Sequence, residues 1–216
     1  MMEEITIRDG VFMSKWKTWE IAALLALAVT LLWGAWSTAQ QDDLARKMIR
    51  LHVIANSDSE TDQALKLQVR DRVLDATTKI LEQSGDMEDA EMRLNAALPE
   101  IRRLAAEEID ARGYDYGVTA RLERAEFPCK EYDGFALPAG EYTALRLVIG
   151  EGQGQNWWCV VFPPLCTTAA TDLHRTAIAA GLGEDDISLI TEENEGYVLK
   201  FRSVELWQQL RQWLKK

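Results

Sequence analysis

An uninterrupted apolar segment near the N-terminus constrains the fold of this chain more than any other feature. Residues 21–36 contain no charged side chain. As an α-helix they would extend roughly 24 Å, against about 30 Å for the hydrocarbon core of a bilayer, and residues 19–39 come close to a full crossing. The segment is apolar all round, whereas a surface helix of a globular domain is apolar along one stripe. The sequence therefore predicts a signal sequence or a membrane anchor.

Charges on either side predict the orientation of this segment. Lys15 and Lys17 precede it, and Asp42 and Asp43 follow it. The positive-inside rule then places the N-terminus in the cytoplasm and the rest of the chain outside. Residues 37–39 resemble the small residues before a signal-peptidase site. A cleaved signal and a retained anchor both stay open.

This segment divides the chain into two predicted regions. Residues 1–39 form a cytoplasmic leader with the signal sequence or transmembrane anchor, and residues 40–216 form an extracytoplasmic domain. The residues before Met13 are acidic, where an export signal is normally basic. We therefore expect Met13 to be the true start of translation.

The composition excludes one class of partner. With 47% hydrophobic and 27% charged residues, the chain has the make-up of a globular protein. It holds 24 Lys and Arg against 35 Asp and Glu, a net charge of -11. Phosphate backbones are bound by clustered basic side chains. We expect no nucleic-acid partner, and contact with a membrane only through the N-terminal apolar segment.

Two helices are predicted at the start of the extracytoplasmic domain. Ser59 and Asp62 have the spacing of a capping box, and apolar residues then recur at helical spacing up to residue 80. A second helical pattern covers residues 90–111. Pro99 lies inside it and predicts the start of a new helix, because an interior proline costs about 3 kcal/mol.

Strand patterns follow the helices and also precede them. Branched and alternating residues predict strands over residues 48–56, 116–127, 141–150 and 156–162. The glycine-rich loop between the last two predicts a β-hairpin over residues 142–162. A short helix ending at Gly181, a strand over residues 196–203 and a helix over residues 203–216 complete the chain. The predicted class is α+β, with two N-terminal helices, a mostly antiparallel sheet with a central hairpin, and a C-terminal helix.

The glycines of that loop do not have the pattern of a phosphate-binding loop. Gly150, Gly152 and Gly154 lack the spacing and the Lys-Ser/Thr ending of the P-loop, and Glu151 would repel a phosphate. A loop that uses glycine for positive φ explains them better. We expect no cofactor.

The cysteines allow two interpretations. Cys166 or Cys159 could act as a nucleophile with His174 as the base, which would make the protein a cysteine hydrolase. Outside the cytoplasm, however, disulfides form, and closing the short loop from Cys159 to Cys166 would contribute roughly 2.5 kcal/mol in the chain-entropy model. Cys129 would be left over. These cysteines and the two histidines match no metal-ligand spacing, so we expect no metal.

Adjacent tryptophans offer a candidate contact surface. Trp157 and Trp158 lie in one predicted strand, where neighbouring side chains point to opposite faces. One is expected in the core, and an exposed one would be a typical anchor of a protein interface.

Two long blocks of this sequence resemble the stage II sporulation protein R family. They are "IRLHVIANSDSETDQALKLQVRDRVLDA" (residues 49–76) and "LPAGEYTALRLVIGEGQGQNWWCVVFPPLC" (residues 137–166), with "VELW" near the C-terminus. The resemblance implies a protein that is made in the forespore, exported into the space between forespore and mother cell, and not itself an enzyme. It implies a partner, a membrane-embedded aspartic protease of the sporulation septum, which then processes the precursor of the mother-cell sigma-E factor.

The same blocks supply the candidate residues for a partner surface or family motif. They are Asn56, Asp58, Glu141, Glu151, Asn156, Trp157 and Trp158. The alternatives to a binding signal are the extracytoplasmic cysteine hydrolase and a structural protein that binds the septum or cell wall.

Overall fold

The computed structural model describes residues 5–132, 134–165 and 173–191. The elements follow an α+β order, in which two helices after the first strand precede five consecutive strands. The helices are α1 (Ile5–Arg46), α2 (Glu60–Leu81), α3 (Met87–Ala111), α4 (Leu173–Ala179) and α5 (Glu184–Ile190), and the strands are β1 (Ile49–Ile54), β2 (Val118–Phe127), β3 (Lys130–Tyr132), β4 (Phe135–Leu137), β5 (Gly140–Ile149) and β6 (Asn156–Phe162). The strand and helix predicted after residue 195 lie outside the described residues.

The chain divides into two compact units, Met1–Gln40 and Gln41–Lys216. In the first unit the apolar segment is helical and its large side chains are exposed, Trp19 and Leu32 among them. The stretch Lys17–Arg46 has a mean hydropathy of 1.8 in its most apolar window and is long enough to cross a membrane. This agrees with a signal sequence or a membrane anchor.

The second unit is built on a mixed sheet with the strand order β2-β5-β1-β6. Strand β1 runs parallel to β5 and antiparallel to β6, and β2 is antiparallel to β5. The predicted hairpin over residues 142–162 is therefore wrong, because β1 lies between the two strands that were expected to pair. The sheet is mixed, and a separate small sheet pairs β3 with β4.

Helices α2 and α3 cover one face of this sheet. Ser59 is the N-cap of α2 and accepts a hydrogen bond from the Asp62 backbone N–H, as its spacing predicted. The apolar stripes of both helices pack on inward-facing residues of β1, β5 and β6 to form the first core cluster. These contacts fix the sheet face that holds Leu51 and Val53.

The prediction at Pro99 is wrong, since α3 runs unbroken past it. Pro99 is exposed, while Leu94 and Ile101 on either side of it are fully buried. Burial of the apolar stripe on both sides of the proline holds one helix together, and the carbonyl that loses its partner can be hydrated on the outer side. Tertiary packing here outweighs a local preference.

On the second face of the sheet, the elements within the described residues cover one end. Its buried side chains pack with β4, α4 and α5 in a second core cluster that includes Tyr142, Val160 and Ile187. The helix expected before Gly181 is α4, and the sequence interpretation missed α5. The other end of this face holds polar side chains of β1, β2 and β5.

Candidate functional site

Two loops lock together where β1 ends. The loop after β1, residues 55–59, receives backbone hydrogen bonds from the loop between β5 and β6, residues 150–155. Gly154 N–H donates to the Ala55 carbonyl (3.0 Å), and Gln153 N–H donates to the Asn56 carbonyl (3.1 Å). We call these two segments the interlocked loops. They meet because the chain must cross the end of β1 to pass from β5 to β6.

Asn56 is the central side chain of the interlocked loops. Its Oδ1 accepts from the Glu151 backbone N–H (2.9 Å), and its Nδ2 donates to Asp62 Oδ2 (2.8 Å). Ser57 Oγ donates to the same carboxylate oxygen (2.6 Å). These hydrogen bonds, that of Ser57 foremost, hold the pKa of Asp62 below its usual value. One asparagine thus ties a neighbouring loop to the start of α2.

A second set of contacts secures the far side of the loop. Asp58 Oδ1 accepts from the Gln155 backbone N–H (2.8 Å), and Lys66 Nζ donates to the Gln155 carbonyl (3.0 Å). Lys66 also donates to Gln63 Oε1 (2.6 Å). Burial lowers the pKa of Lys66. Lys66 thus ties α2 to the loop between β5 and β6. No role for this lysine was predicted from the sequence.

Glycines make this close approach feasible. Gly150 and Gly152 have φ values of 56° and 65°, the left-handed region that favours glycine. A Cβ on Gly154 would meet the Ser57 carbonyl carbon at 2.6 Å. The backbone N–H groups of Gly152, Gln153 and Gly154 donate within the protein. The loop therefore has these donors engaged and does not form a phosphate cradle.

His52 and Trp158 form a stacked pair on the sheet face opposite α2 and α3. Their ring centroids are 3.9 Å apart and the planes are inclined by 21°. His52 donates from Nε2 to Asn156 Oδ1 (2.8 Å). Burial is the main cause of the lowered pKa of His52. The structure thus fixes the orientation of Trp158 and Asn156 through a buried histidine.

Trp157 lies on the other face, at the edge toward α2. Arg70 of α2 stacks over its ring, with 4.2 Å from the guanidinium carbon to the ring centroid. Both tryptophans are half-buried, so each face of β6 presents one indole. The alternation expected from a strand places them in this way.

Glu141 does not join the other candidate residues. It lies at the start of β5, whereas Glu151 follows the end of that strand, and the strand has 10 residues. Its carboxylate accepts from Arg124 Nη2 at 3.2 Å on the neighbouring strand. Asn56, Asp58 and Glu151 meet in the interlocked loops, and Asn156 with Trp158 lies beside His52.

The structure tests part of the cysteine-hydrolase interpretation. Cys159 is buried and disulfide-bonded, so it holds no thiol that could act as a nucleophile. Cys166 lies outside the described residues, and its pairing with Cys159 stays a prediction. His174 has a side chain that is 62% exposed and bonds to Glu184 Oε2 at 3.0 Å. Among the described residues, no group of three His, Cys, Asp or Glu side chains is arranged to hold a metal ion.

Arg50 is the residue of this region that sequence reasoning missed. It is fully buried in β1, where Nη2 donates to the Tyr132 hydroxyl (2.6 Å) and the guanidinium lies over the Phe127 ring at 4.2 Å. Within the part of the chain that the structure describes, no hydrogen-bond partner lies against its Nε and Nη1. A charged residue at the second position of a mostly apolar strand was the available signal.

The fold and these loops define a class of protein: an α+β domain that follows one N-terminal helix long and apolar enough to span a membrane. The family model of stage II sporulation protein R matches residues 45–172, more than half of the chain. The chain belongs to this family, which supports a role in sporulation. The matched residues include β1 through β6 and both interlocked loops.

One curated relative shows how similar this chain is to a known member of the family. Stage II sporulation protein R of Bacillus subtilis (strain 168) is 41% identical over 118 residues, which cover 55% of this chain and 53% of the relative. The chain therefore spans about half the length of that relative. No solved structure matches the chain.

Proposed function

We propose that this chain is an exported signalling protein of endospore formation. It activates a membrane-embedded aspartic protease at the sporulation septum, so that the protease processes the mother-cell sigma-E precursor. The observation that supports this proposal is family membership over residues 45–172, the part that builds the whole sheet and its loops. The name of the family is that of a sporulation protein and not of an enzyme.

Export is part of the same proposal. The apolar stretch within Lys17–Arg46 would direct the chain across the forespore membrane, and residues 40–216 would then lie in the intermembrane space. Whether the helix stays as an anchor decides how far the domain can diffuse. In either case the domain reaches a protease in the facing membrane from the outside.

Activation by binding sets a physical requirement. A signal shifts an inactive protease toward its active state only if it binds the active state more tightly. A rigid surface favours such discrimination, because little conformational entropy is lost on binding. The contacts of Asn56, Asp58 and Lys66 supply that rigidity at the end of the sheet.

The hydrolase interpretation has less support. Cys159 has no thiol in the structure, and the His174 imidazole, with its Glu184 contact, is mostly solvent-exposed. An exposed imidazole gives a nucleophile no sheltered base. A hydrolase would depend on Cys166 and His174.

Co-expression in a non-sporulating host tests the proposal. The full chain is produced with the candidate protease and its sigma-factor precursor, and precursor cleavage is scored on a blot. Wild type is compared with Cys166→Ala and His174→Ala, with export checked by fractionation. We expect cleavage that requires this chain and survives both substitutions.

Three results would contradict the proposal. Absence of cleavage with a well-exported chain would refute the signalling function. Loss of cleavage in both variants, with export intact, would favour the hydrolase. Binding of the chain to purified peptidoglycan in the absence of any cleavage would favour the structural alternative.

A further inference from the structure

The sheet face opposite α2 and α3 presents a row of cationic and aromatic side chains. The strand register places Trp158, His52, Arg146 and Arg121 next to one another across β6, β1, β5 and β2. Arg121 is exposed, and the side chain of Arg146 is 41% exposed. We call the accessible part of this region the arginine face: Arg121, Glu123, Arg146, Asn156 and Trp158.

The arginine face contains a like-charge pair. Arg121 and Arg146 are direct cross-strand partners, an arrangement in which like charges destabilise a sheet. Glu123 bonds to Arg146 Nη1 at 3.0 Å, and one carboxylate offsets one of the two charges. Arg50 adds a further cation in the next row of the same face. In a chain with a net charge of -11, this is a local excess of positive charge.

Some donors of these arginines find no acceptor among the described residues. They are the buried Nε of Arg146, and Nε and Nη1 of Arg50 in the neighbouring row. Buried donors without a partner cost free energy, and their presence calls for an explanation. A guanidinium matches a carboxylate in shape and charge. Because the Arg146 side chain is 41% exposed, a carboxylate of a partner can reach its guanidinium.

The aromatic side of the arginine face is held in place before any partner arrives. The stack of Trp158 on His52 and the hydrogen bond from His52 to Asn156 fix both outer side chains. Tryptophan and arginine are the residue types that most often dominate protein interfaces. Fixed side chains lose little entropy on binding.

We propose that the arginine face binds an acidic segment of a protein partner, with a carboxylate on Arg146 and Arg121 and an apolar side chain against Trp158. This rests on the proposed function, in which the partner is the protease, and it names the surface that meets it. An anionic lipid surface carries similar charges, but as an extended layer it would also meet the acidic remainder of the chain, whose net charge is -11. An acidic polypeptide segment can instead place single carboxylates on the two arginines.

A synthetic peptide tests the chemistry without the protease. Fluorescein-labelled hexaglutamate is titrated with the full chain in nonionic detergent, and binding is followed by fluorescence anisotropy. The variants are Arg146→Glu and Arg121→Glu, the second at an exposed position where folding is not at risk. Arg102→Glu on the exposed side of α3 is the matched charge control, and hexaglutamine is the peptide control.

We expect wild type and Arg102→Glu to bind hexaglutamate alike, and both face variants to bind it at least about tenfold more weakly, the factor for one lost charge-assisted hydrogen bond. Equal binding by all variants, or equal binding of hexaglutamine, overturns the proposal. Tighter, Arg146-dependent binding of fluorescent phosphatidylglycerol than of hexaglutamate would assign the face to lipid and also overturn it.

The cleavage assay in the non-sporulating host separates the two proposals. If wild type and Arg102→Glu promote cleavage while both face variants do not, the arginine face is the contact with the protease. If the face variants promote cleavage as well as wild type, the arginine face is refuted and the signalling function stands. If wild type promotes no cleavage, the proposed signalling function is refuted. The peptide titration then tests by itself whether the arginine face binds an acidic segment.

Discussion

We expect Asn56 to contribute more to the free energy of unfolding than its half-exposed position suggests. Replacing it with alanine removes the hydrogen bond to the Asp62 carboxylate and the one from the Glu151 N–H. A hydrogen bond to a charged group contributes about 1.5–3 kcal/mol and a neutral one about 0.5–1.5 kcal/mol. We therefore expect Asn56→Ala to lower the free energy of unfolding by about 2–4.5 kcal/mol. One of these contacts joins two loops that are far apart in sequence, and the other ties the first loop to the start of α2.

Urea unfolding of the full chain in nonionic detergent, followed by tryptophan fluorescence, measures this change. Asn95→Ala is the matched control, since Asn95 is exposed on α3 and its loss should stay within about 0.5 kcal/mol. If Asn56→Ala falls within that same range, the interlocked loops do not contribute as argued and the reasoning is refuted.

Asn56→Asp sharpens the prediction through pH. The new carboxylate can still accept from Glu151 N–H, but it faces the Asp62 carboxylate, which now loses a donor. The hydrogen bonds of Asp62 lower its folded pKa, so their stabilisation is present above its unfolded pKa and is lost as pH falls through the folded pKa. We expect Asn56→Asp to be destabilising at pH 7, with a smaller deficit against wild type at acid pH, in the same urea assay. A deficit that does not shrink would contradict the carboxylate pairing.

Three further predictions use the same unfolding assay. Gly154→Ala should cost about 1–3 kcal/mol because its Cβ meets the Ser57 carbonyl, while Gly85→Ala, which has open space, should cost nothing; equal effects would contradict the close approach. The pKa of His52 is lowered in the folded state, so as the pH falls through the unfolded pKa of about 6.5 the unfolded state is protonated first and stability falls. His52→Gln should therefore reduce the loss of stability between pH 7.5 and 5.5. An unchanged dependence of stability on pH would argue against burial of a neutral ring. Arg50→Met should either increase the free energy of unfolding or lower it by less than about 1 kcal/mol, because an apolar side chain replaces a buried charge with few hydrogen bonds. A large loss of stability would show that the guanidinium stabilises its aromatic neighbours.

Much of the local structure could be predicted from the sequence. The apolar N-terminal segment, the strand over residues 48–56 and the cap at Ser59 all follow from short-range patterns. Hydrophobic periodicity reports which side of an element is buried, and cap residues report where a helix begins. These signals lie within a few residues of the feature they specify, so one sequence is enough to reveal them.

Strand order and the partners of the candidate residues were decided by the tertiary structure. Nothing local places β1 between β5 and β6, because its parallel partner β5 begins at residue 140, far along the chain. That insertion brings Asn56 to Glu151, separates Glu141 from both, and buries Arg50 in the centre of the sheet. Pairing between distant segments depends on how all faces of the sheet are buried together. A periodic pattern shows only that one face of an element is buried, and it does not show which other element covers that face.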